Sequence, residues 1–208
     1  MKNLKSNLLI LIGVLLILAS LGLTMYNLYE DDMVEQNTPQ ADDVVMPLKL
    51  DAANAEYIPD YQLDEDFEMP VVRVDDREYI GRIDIGVLGI SLPVLSEFTY
   101  PNLKIAPVRY VGDIYDGTCI IGAHNYNSHF GKLKNLQVGD ALSFTDMDGN
   151  VFQYRVKELQ TLDGKDVAGL CEGDWDLTLF TCTYGGRSRV TVRCECTDGL
   201  ALSEAQVV

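Results

Sequence analysis

The sequence predicts an all-β domain, either a barrel or a sandwich, that follows an N-terminal transmembrane helix. Three observations support this fold class. A long uncharged apolar run opens the chain, and from residue 71 onward short stretches alternate between apolar and polar side chains. Turn-forming residues separate these stretches at regular spacing, and few stretches show helical periodicity. With 208 residues, the chain has room for one domain with a sizeable core and some additional segments.

The apolar run predicts a membrane anchor over residues 1–29, with the helix at about 6–29. Its 24 residues from Ser6 to Tyr29 carry no charge, and a helix of that length spans about 36 Å, more than the roughly 30 Å of bilayer hydrocarbon. Lys2 and Lys5 precede the run, and three acidic residues follow it. This charge distribution predicts a single-pass protein of the cell membrane, with a cytoplasmic N-terminus and an extracellular main domain.

A cleaved signal peptide is the alternative interpretation of the same run. Signal peptides have a shorter apolar core that is followed by a small-x-small cleavage site. Here no Ala-x-Ala follows the run, and Tyr26 and Tyr29 suit the boundary between lipid and water. We therefore predict an anchor that is not cleaved.

Acidic residues are concentrated in one segment behind the anchor. Between Glu30 and Glu68 there are thirteen acidic residues and one basic residue, Lys49, so this stretch supplies −12 of the formal net charge of −16. Because like charges repel and its four prolines stiffen the chain, residues 30–70 are predicted to form an extended, largely disordered stalk. The excess of acidic residues argues against a nucleic-acid partner, which requires clustered Lys and Arg.

The remaining residues, 71–208, are predicted to form the β-domain. Each predicted strand is short and is bounded by turn residues, as in the Asp-Met-Asp-Gly-Asn hairpin turn at 146–150. The predicted strands are residues 79–85, 90–94, 119–123, 141–144, 151–156, 177–181 and 189–194.

An odd number of cysteines means that at least one is free or pairs with another molecule. No CxxC motif occurs, and Cys194 and Cys196 are too closely spaced for a zinc site without further ligands, so no metal is expected. For Cys119, Cys194 and Cys196 the default interpretation is a buried apolar side chain. Cys182 differs because it ends a predicted strand beside a Gly-Gly loop, where a thiol is partly exposed.

Only two histidines are available as a catalytic base. His124 directly follows the predicted strand 119–123, where a rigid scaffold ends and a loop begins. His129 lies five residues later, in a loop or short helix. Either residue, taken alone, is more often structural than catalytic.

Three arginines follow the cysteine at 182. They are Arg187, Arg189 and Arg193. Thiolate attack on an amide creates a tetrahedral oxyanion, which a fixed guanidinium stabilises, and the same positive charge favours the thiolate. The alternative interpretation is surface charge along a strand edge.

The segment 178–182, Thr-Leu-Phe-Thr-Cys, matches the TLxTC signature of sortases at every fixed position. Residues 122–125, Gly-Ala-His-Asn, resemble the histidine segment of that family, and 189–192, Arg-Val-Thr-Val, resemble its arginine strand. The resemblance covers about residues 71–198. It implies a closed eight-stranded β-barrel with short helices and a cysteine transpeptidase activity without a cofactor.

By the same resemblance, Cys182 is the nucleophile, His124 transfers protons, Arg189 holds the oxyanion or the substrate backbone, and Thr181 contacts the substrate. The implied partners are Gram-positive surface proteins with an LPxTG-like C-terminal signal, and an amine acceptor from a cell-wall precursor or a pilin. The resemblance does not assign a sortase class. A hydrolytic surface cysteine peptidase that uses the same residues and a non-enzymatic adhesion or sensing module are the alternatives.

Overall fold

The computed structural model describes residues 2–44, 61 and 67–197. The chain divides into two compact units, Met1–Asn37 and Thr38–Val208. The first unit is one helix, α1 (Lys2–Asn37), and its segment Asn7–Asn37 is long and apolar enough to cross a membrane. The helix therefore continues beyond the end of the uncharged run at Tyr29. Most of the predicted stalk, residues 45–60 and 62–66, lies outside the described residues.

The second unit is built mainly from strands, as the alternating sequence pattern predicts. In its described part, three short α-helices and two 3₁₀ helices connect nine strands. The α-helices are α2 (Ala41–Val44), α3 (Tyr100–Leu103) and α4 (Val167–Cys171), and the 3₁₀ helices are Gly86–Leu88 and Phe130–Asn135. The strands are β1 (Val72–Val74), β2 (Arg77–Ile85), β3 (Ile90–Leu95), β4 (Val108–Val111), β5 (Cys119–Ala123), β6 (Ala141–Asp146), β7 (Val151–Asp163), β8 (Leu177–Cys182) and β9 (Ser188–Cys196).

Eight of these strands close into a barrel. The hydrogen-bonded strand order is β1-β2-β3-β4-β5-β8-β9-β7-β6. An additional pairing between β2 and β6 closes the eight strands from β2 to β6 into a ring. On one edge of β2, β1 pairs with the residues from Arg77 to Tyr79, and β6 pairs with those from Gly81 to Asp84. β1 is thus a short ninth strand outside the ring. The prediction of a closed eight-stranded barrel is confirmed.

Every second side chain of each strand points into the barrel. These inward positions carry apolar residues, so the barrel interior is apolar. On β8, Leu177 and Leu179 are fully buried in the largest core cluster. On β2, Ile83 and Ile85 are buried in the same cluster. All seven strands predicted from the sequence are present. β7 continues beyond its predicted end at residue 156 to Asp163, and β1 and β4 were not predicted.

Candidate active site

Cys182 is the last residue of β8 and the one exposed residue of that strand. The two faces of β8 differ in what they contact. Leu177 and Leu179 point into the barrel, while Phe180 belongs to a separate cluster outside it. Since side chains two residues apart share a face of a strand, the Cys182 thiol lies on the outer face with Phe180. The thiol is therefore accessible at the end of a rigid strand.

His124 is brought to the same end of the barrel by parallel pairing of β5 with β8. The register joins Ala123 to Thr181, so His124 and Cys182 are the next residues along the two neighbouring strands. The hydroxyl of Thr181 donates a 2.8 Å hydrogen bond to the Ala123 carbonyl and fixes this register. The half-buried imidazole contacts two aromatic rings, Tyr126 at 5.0 Å and Tyr100 at 6.0 Å between centroids.

Arg189 lies directly opposite Cys182 in the antiparallel pair of β8 with β9. The connecting turn is tight and closed by hydrogen bonds, because the Thr183 amide donates to the Ser188 carbonyl over 2.8 Å. Gly185 and Gly186 have φ angles of 83° and 69°, a left-handed conformation that glycine adopts without strain. The short loop thus places the guanidinium on the face of the thiol.

The Arg189 guanidinium is half-buried and rests on an aromatic ring. Its Cζ lies 5.6 Å from the ring centroid of Phe180. Its Nη1 nitrogen is buried and has no hydrogen-bond partner within the described part of the chain. No other group within the described part of the chain therefore engages this donor.

The other candidate residues occupy different environments. His129 is fully buried, and its Nε2 lies 3.0 Å from the hydroxyl of Thr38. Arg187 is exposed in the turn. Arg193 is buried towards the opposite end of β9, beside Thr178. The structure thus places Cys182, His124 and Arg189 at the ends of three neighbouring strands, while His129 and Arg193 are buried elsewhere.

Two of the remaining cysteines are unsuited to nucleophilic chemistry. Burial raises the pKa of the Cys119 thiol to about 12, and it also raises the pKa of Cys194. Cys171 is exposed and Cys196 is half-buried, and all five thiols are free. Across residues 2–44, 61 and 67–197, no group of three His, Cys, Asp or Glu side chains is arranged to hold a metal ion.

The Sortase domain family profile matches residues 83–197, more than half of the chain. The chain belongs to the sortase family. The matched segment of this sortase includes all three residues that converge at the barrel end. Sortases are cysteine transpeptidases, so the family assignment and the general class of enzyme are established together. A comparison with curated protein sequences gave no match.

Solved structures of other sortases share this fold. The Clostridium perfringens sortase D5 transpeptidase is 25% identical over 57% of this chain and 79% of that chain, with a TM-score of 0.50. Sortase C1 from Streptococcus agalactiae is 25% identical over 60% of this chain and 70% of that chain, with a TM-score of 0.51. Sortase C-3 from Streptococcus pneumoniae is 21% identical over 84% of this chain and 81% of that chain, with a TM-score of 0.53.

Sequence reasoning missed the aromatic surroundings of the sortase site. Phe180, Tyr100 and Tyr126 are not among the residues that the sequence pattern identifies as functional. Phe180 could have been found from its spacing, because it lies two residues before the cysteine and therefore on the same face. The contacts of Tyr100 depend on the β3–β4 loop, which the sequence pattern does not position.

Proposed function

We propose that this sortase cleaves an LPxTG-like C-terminal sorting signal of secreted surface proteins and transfers the new C-terminus to an amine. The acceptor is a cell-wall peptide or a pilin. The observation that carries the proposal is the convergence of Cys182, His124 and Arg189 at one end of three neighbouring strands. A thiol nucleophile, an imidazole that transfers protons and a guanidinium that stabilises the oxyanion can together carry out amide transfer through a thioester.

The first half of the reaction forms the acyl-enzyme. The Cys182 thiolate, whose proton has passed to His124, attacks the threonine carbonyl carbon of the sorting signal, and the carbonyl electrons move to the oxygen. Arg189 donates a hydrogen bond to that oxyanion. When the oxyanion collapses, the C–N bond breaks, and the imidazolium of His124 gives its proton to the departing glycine amine. A thioester between Cys182 and the signal remains.

The second half reverses these steps with a different amine. His124 removes a proton from the incoming amine, which attacks the thioester carbonyl, and Cys182 leaves as the thiolate. Thr181, predicted as a substrate contact, is buried between β5 and β9 and its hydroxyl donates to Ala123, so we assign it the positioning of Cys182 instead. The proposal requires no cofactor.

The domain arrangement is part of the proposal. Residues 1–29 anchor the enzyme in the cell membrane with a cytoplasmic N-terminus, residues 30–70 form a spacer, and residues 71–208 form the extracellular catalytic domain. Labelling of intact cells with a membrane-impermeant maleimide tests the orientation, since the exposed thiols of Cys182 and Cys171 should react from outside. Labelling that requires lysis would contradict it.

The decisive experiment is cleavage of an LPxTG-type peptide library by the full chain in detergent, followed by mass spectrometry. The native enzyme should give a thioester adduct on Cys182, and Cys182→Ala should give neither adduct nor cleavage while it keeps its melting temperature. Cys171→Ala is the matched control and should retain activity. Full cleavage by Cys182→Ala would refute the assignment.

The acceptor is tested in the same assay. Oligoglycine, a diaminopimelate peptide and a lysine-containing pilin peptide are added in parallel, and a transpeptidase gives a ligated product with at least one of them. If every amine leaves only the hydrolysed signal, the enzyme is a cysteine peptidase that uses the same residues.

A further inference from the structure

Phe180 occupies the variable position of the Thr-Leu-Phe-Thr-Cys segment, and its ring contacts the arginine of the active site. The Arg189 Cζ atom lies over the ring, 5.6 Å from its centroid. A cation within about 6 Å of the ring centroid is attracted by the negative face of an aromatic ring. The contact follows from the register: Phe180 precedes Cys182 by two residues on the same face, and Cys182 pairs directly with Arg189.

The ring of Phe180 is held in place from the sides that do not face Arg189. Tyr110 meets it edge-on at 5.6 Å, and Phe98 in turn meets Tyr110 edge-on at 4.9 Å. Gly122 on β5 leaves the space that the ring occupies, because a Cβ there would lie 2.5 Å from the Phe180 Cζ. Only 5% of Phe180 is exposed. The ring is thus a fixed platform and not a mobile surface side chain.

The way in which Arg189 is held affects what it can do. None of the salt bridges among the described residues involves Arg189. A carboxylate partner would accept the in-plane N–H donors and offset the positive charge. An aromatic ring, in contrast, attracts the guanidinium without neutralising its positive charge. The buried Nη1, which has no hydrogen-bond partner within the described part, is consistent with this arrangement.

We propose that Phe180 is a positioning residue that holds the Arg189 guanidinium by a cation–π contact and leaves its N–H donors to the substrate oxyanion. The inference rests on the role given to Arg189 in the proposed function. It also assigns a role to the one variable position of the signature segment: in this sortase that position orients the arginine. Packing alone, in which Phe180 only fills the space over Gly122, is the competing explanation.

Fluorinated phenylalanines separate the two explanations. Successive fluorination withdraws negative charge from the ring face with little change in ring size. We would incorporate phenylalanine, 4-fluoro-, 3,5-difluoro- and 3,4,5-trifluorophenylalanine at position 180 of the full chain in detergent. Two readouts are measured: kcat/KM with the cleaved sorting peptide, and the ¹⁵Nε–¹H signal of Arg189 in the free enzyme.

If Phe180 holds Arg189 by a cation–π contact, catalytic activity should fall stepwise as fluorine atoms are added to the ring. The value of kcat/KM should fall with each fluorine, by between about twofold and thirtyfold over the series. The loss should be mainly in kcat, because the oxyanion forms after substrate binding. The Arg189 signal should shift and broaden in the same order. The same series at Phe152, which is buried in the barrel core beside Tyr115, is the matched control and should change neither readout.

The outcomes also separate this inference from the proposed function. If Phe180→Leu lowers activity but fluorination changes neither readout, Phe180 acts by packing alone and the inference is overturned. If the Arg189 signal follows fluorination while kcat/KM stays constant, Phe180 does position Arg189, and the oxyanion role proposed for Arg189 fails instead. A constant Arg189 signal with falling kcat/KM also overturns the inference, because the effect then bypasses the arginine.

Discussion

The Thr181 hydroxyl donates a 2.8 Å hydrogen bond to the carbonyl oxygen of Ala123, and each of these residues immediately precedes a residue of the candidate site. Thr181 precedes Cys182 and Ala123 precedes His124. The bond joins β8 to β5 at the residues paired in the parallel ladder, and both residues are buried. By joining the ends of β8 and β5, it therefore fixes the separation between the thiol and the imidazole.

Removal of this hydrogen bond should lower both the free energy of unfolding and kcat. Thr181→Val keeps the shape of the side chain but leaves the buried Ala123 carbonyl without that donor, so the free energy of unfolding should fall by about 1–3 kcal/mol. The value of kcat should fall as well, because the spacing between Cys182 and His124 is no longer fixed. Denaturant titration and peptide cleavage measure the two effects. Thr181→Ser retains the hydroxyl and should stay close to the native enzyme, and equal losses in both variants would contradict the argument.

The close approach of Gly122 to Phe180 gives a second prediction. An alanine Cβ at position 122 would lie 2.5 Å from the Phe180 Cζ, so the ring must move. Forced overpacking of this kind costs about 1–3 kcal/mol of stability, and displacement of the ring should also lower kcat through Arg189. Thermal unfolding and peptide cleavage test both parts.

Gly86→Ala is the matched control for the Gly122 variant. Nothing lies within 4 Å of a Cβ at position 86, and Gly86 is not in a left-handed conformation. Its melting temperature and activity should be nearly unchanged. A Gly122→Ala enzyme with native stability and native kcat would show that the ring can be displaced without consequence.

The barrel could be predicted from the sequence because its signal is local. Alternation of inward and outward side chains identifies a strand such as β2 directly, and a short apolar run bounded by turn residues identifies β8. The sequence pattern does not predict β1 and β4, because these strands have only three and four residues, too few to show a period. The extension of β7 to Asp163 escaped for a different reason: only pairing with β9 keeps residues 158–163 extended.

The candidate site could be predicted in part for the same reason. Cys182 and His124 stand at strand ends, which the sequence shows, and the TLxTC signature names the cysteine. The choice of Arg189 from three arginines followed from the resemblance, and the antiparallel register with Cys182 supports it independently. The contacts of Arg189 with Phe180 and of His124 with Tyr100 depend on tertiary packing, which no single-sequence pattern encodes.

Arg193 gives a prediction about stability. Its side chain is 1% exposed and donates to the carbonyls of Leu170 and Gly169 in α4 and to the hydroxyl of Thr178. Burial lowers the pKa of this guanidinium. These hydrogen bonds, together with the buried side chain of Leu170, hold α4 against the barrel.

Arg193→Met should lower the free energy of unfolding by about 2–4 kcal/mol, because buried carbonyls lose charged donors. Amide hydrogen exchange should accelerate in α4, between Val167 and Cys171, more than in β9. Arg187→Met, at an exposed position in the turn, is the control and should stay within about 0.5 kcal/mol of the native protein. If the Arg193 variant is as stable as the native protein, the cost of burying the charge equals what its hydrogen bonds contribute.

Cys119 should make the fold sensitive to alkali. Burial raises the pKa of its thiol from 9.0 to about 12, so the folded state keeps a proton that the unfolded state releases above pH 9. The stabilisation from the neutral thiol is complete below pH 9 and is lost as the pH rises towards 12. Within that window, one such group lowers the free energy of unfolding by about 1.4 kcal/mol per pH unit.

Cys119→Val removes this titration and keeps an apolar side chain in the core. The slope of the free energy of unfolding against pH, measured by urea titration between pH 9 and 12, should become shallower by about that amount. Buried Cys194 and Tyr154 have pKa values raised in the same direction, so a residual slope should remain in the variant. Parallel slopes for the Cys119 variant and the native protein would mean that the folded state releases this proton as readily as the unfolded chain does.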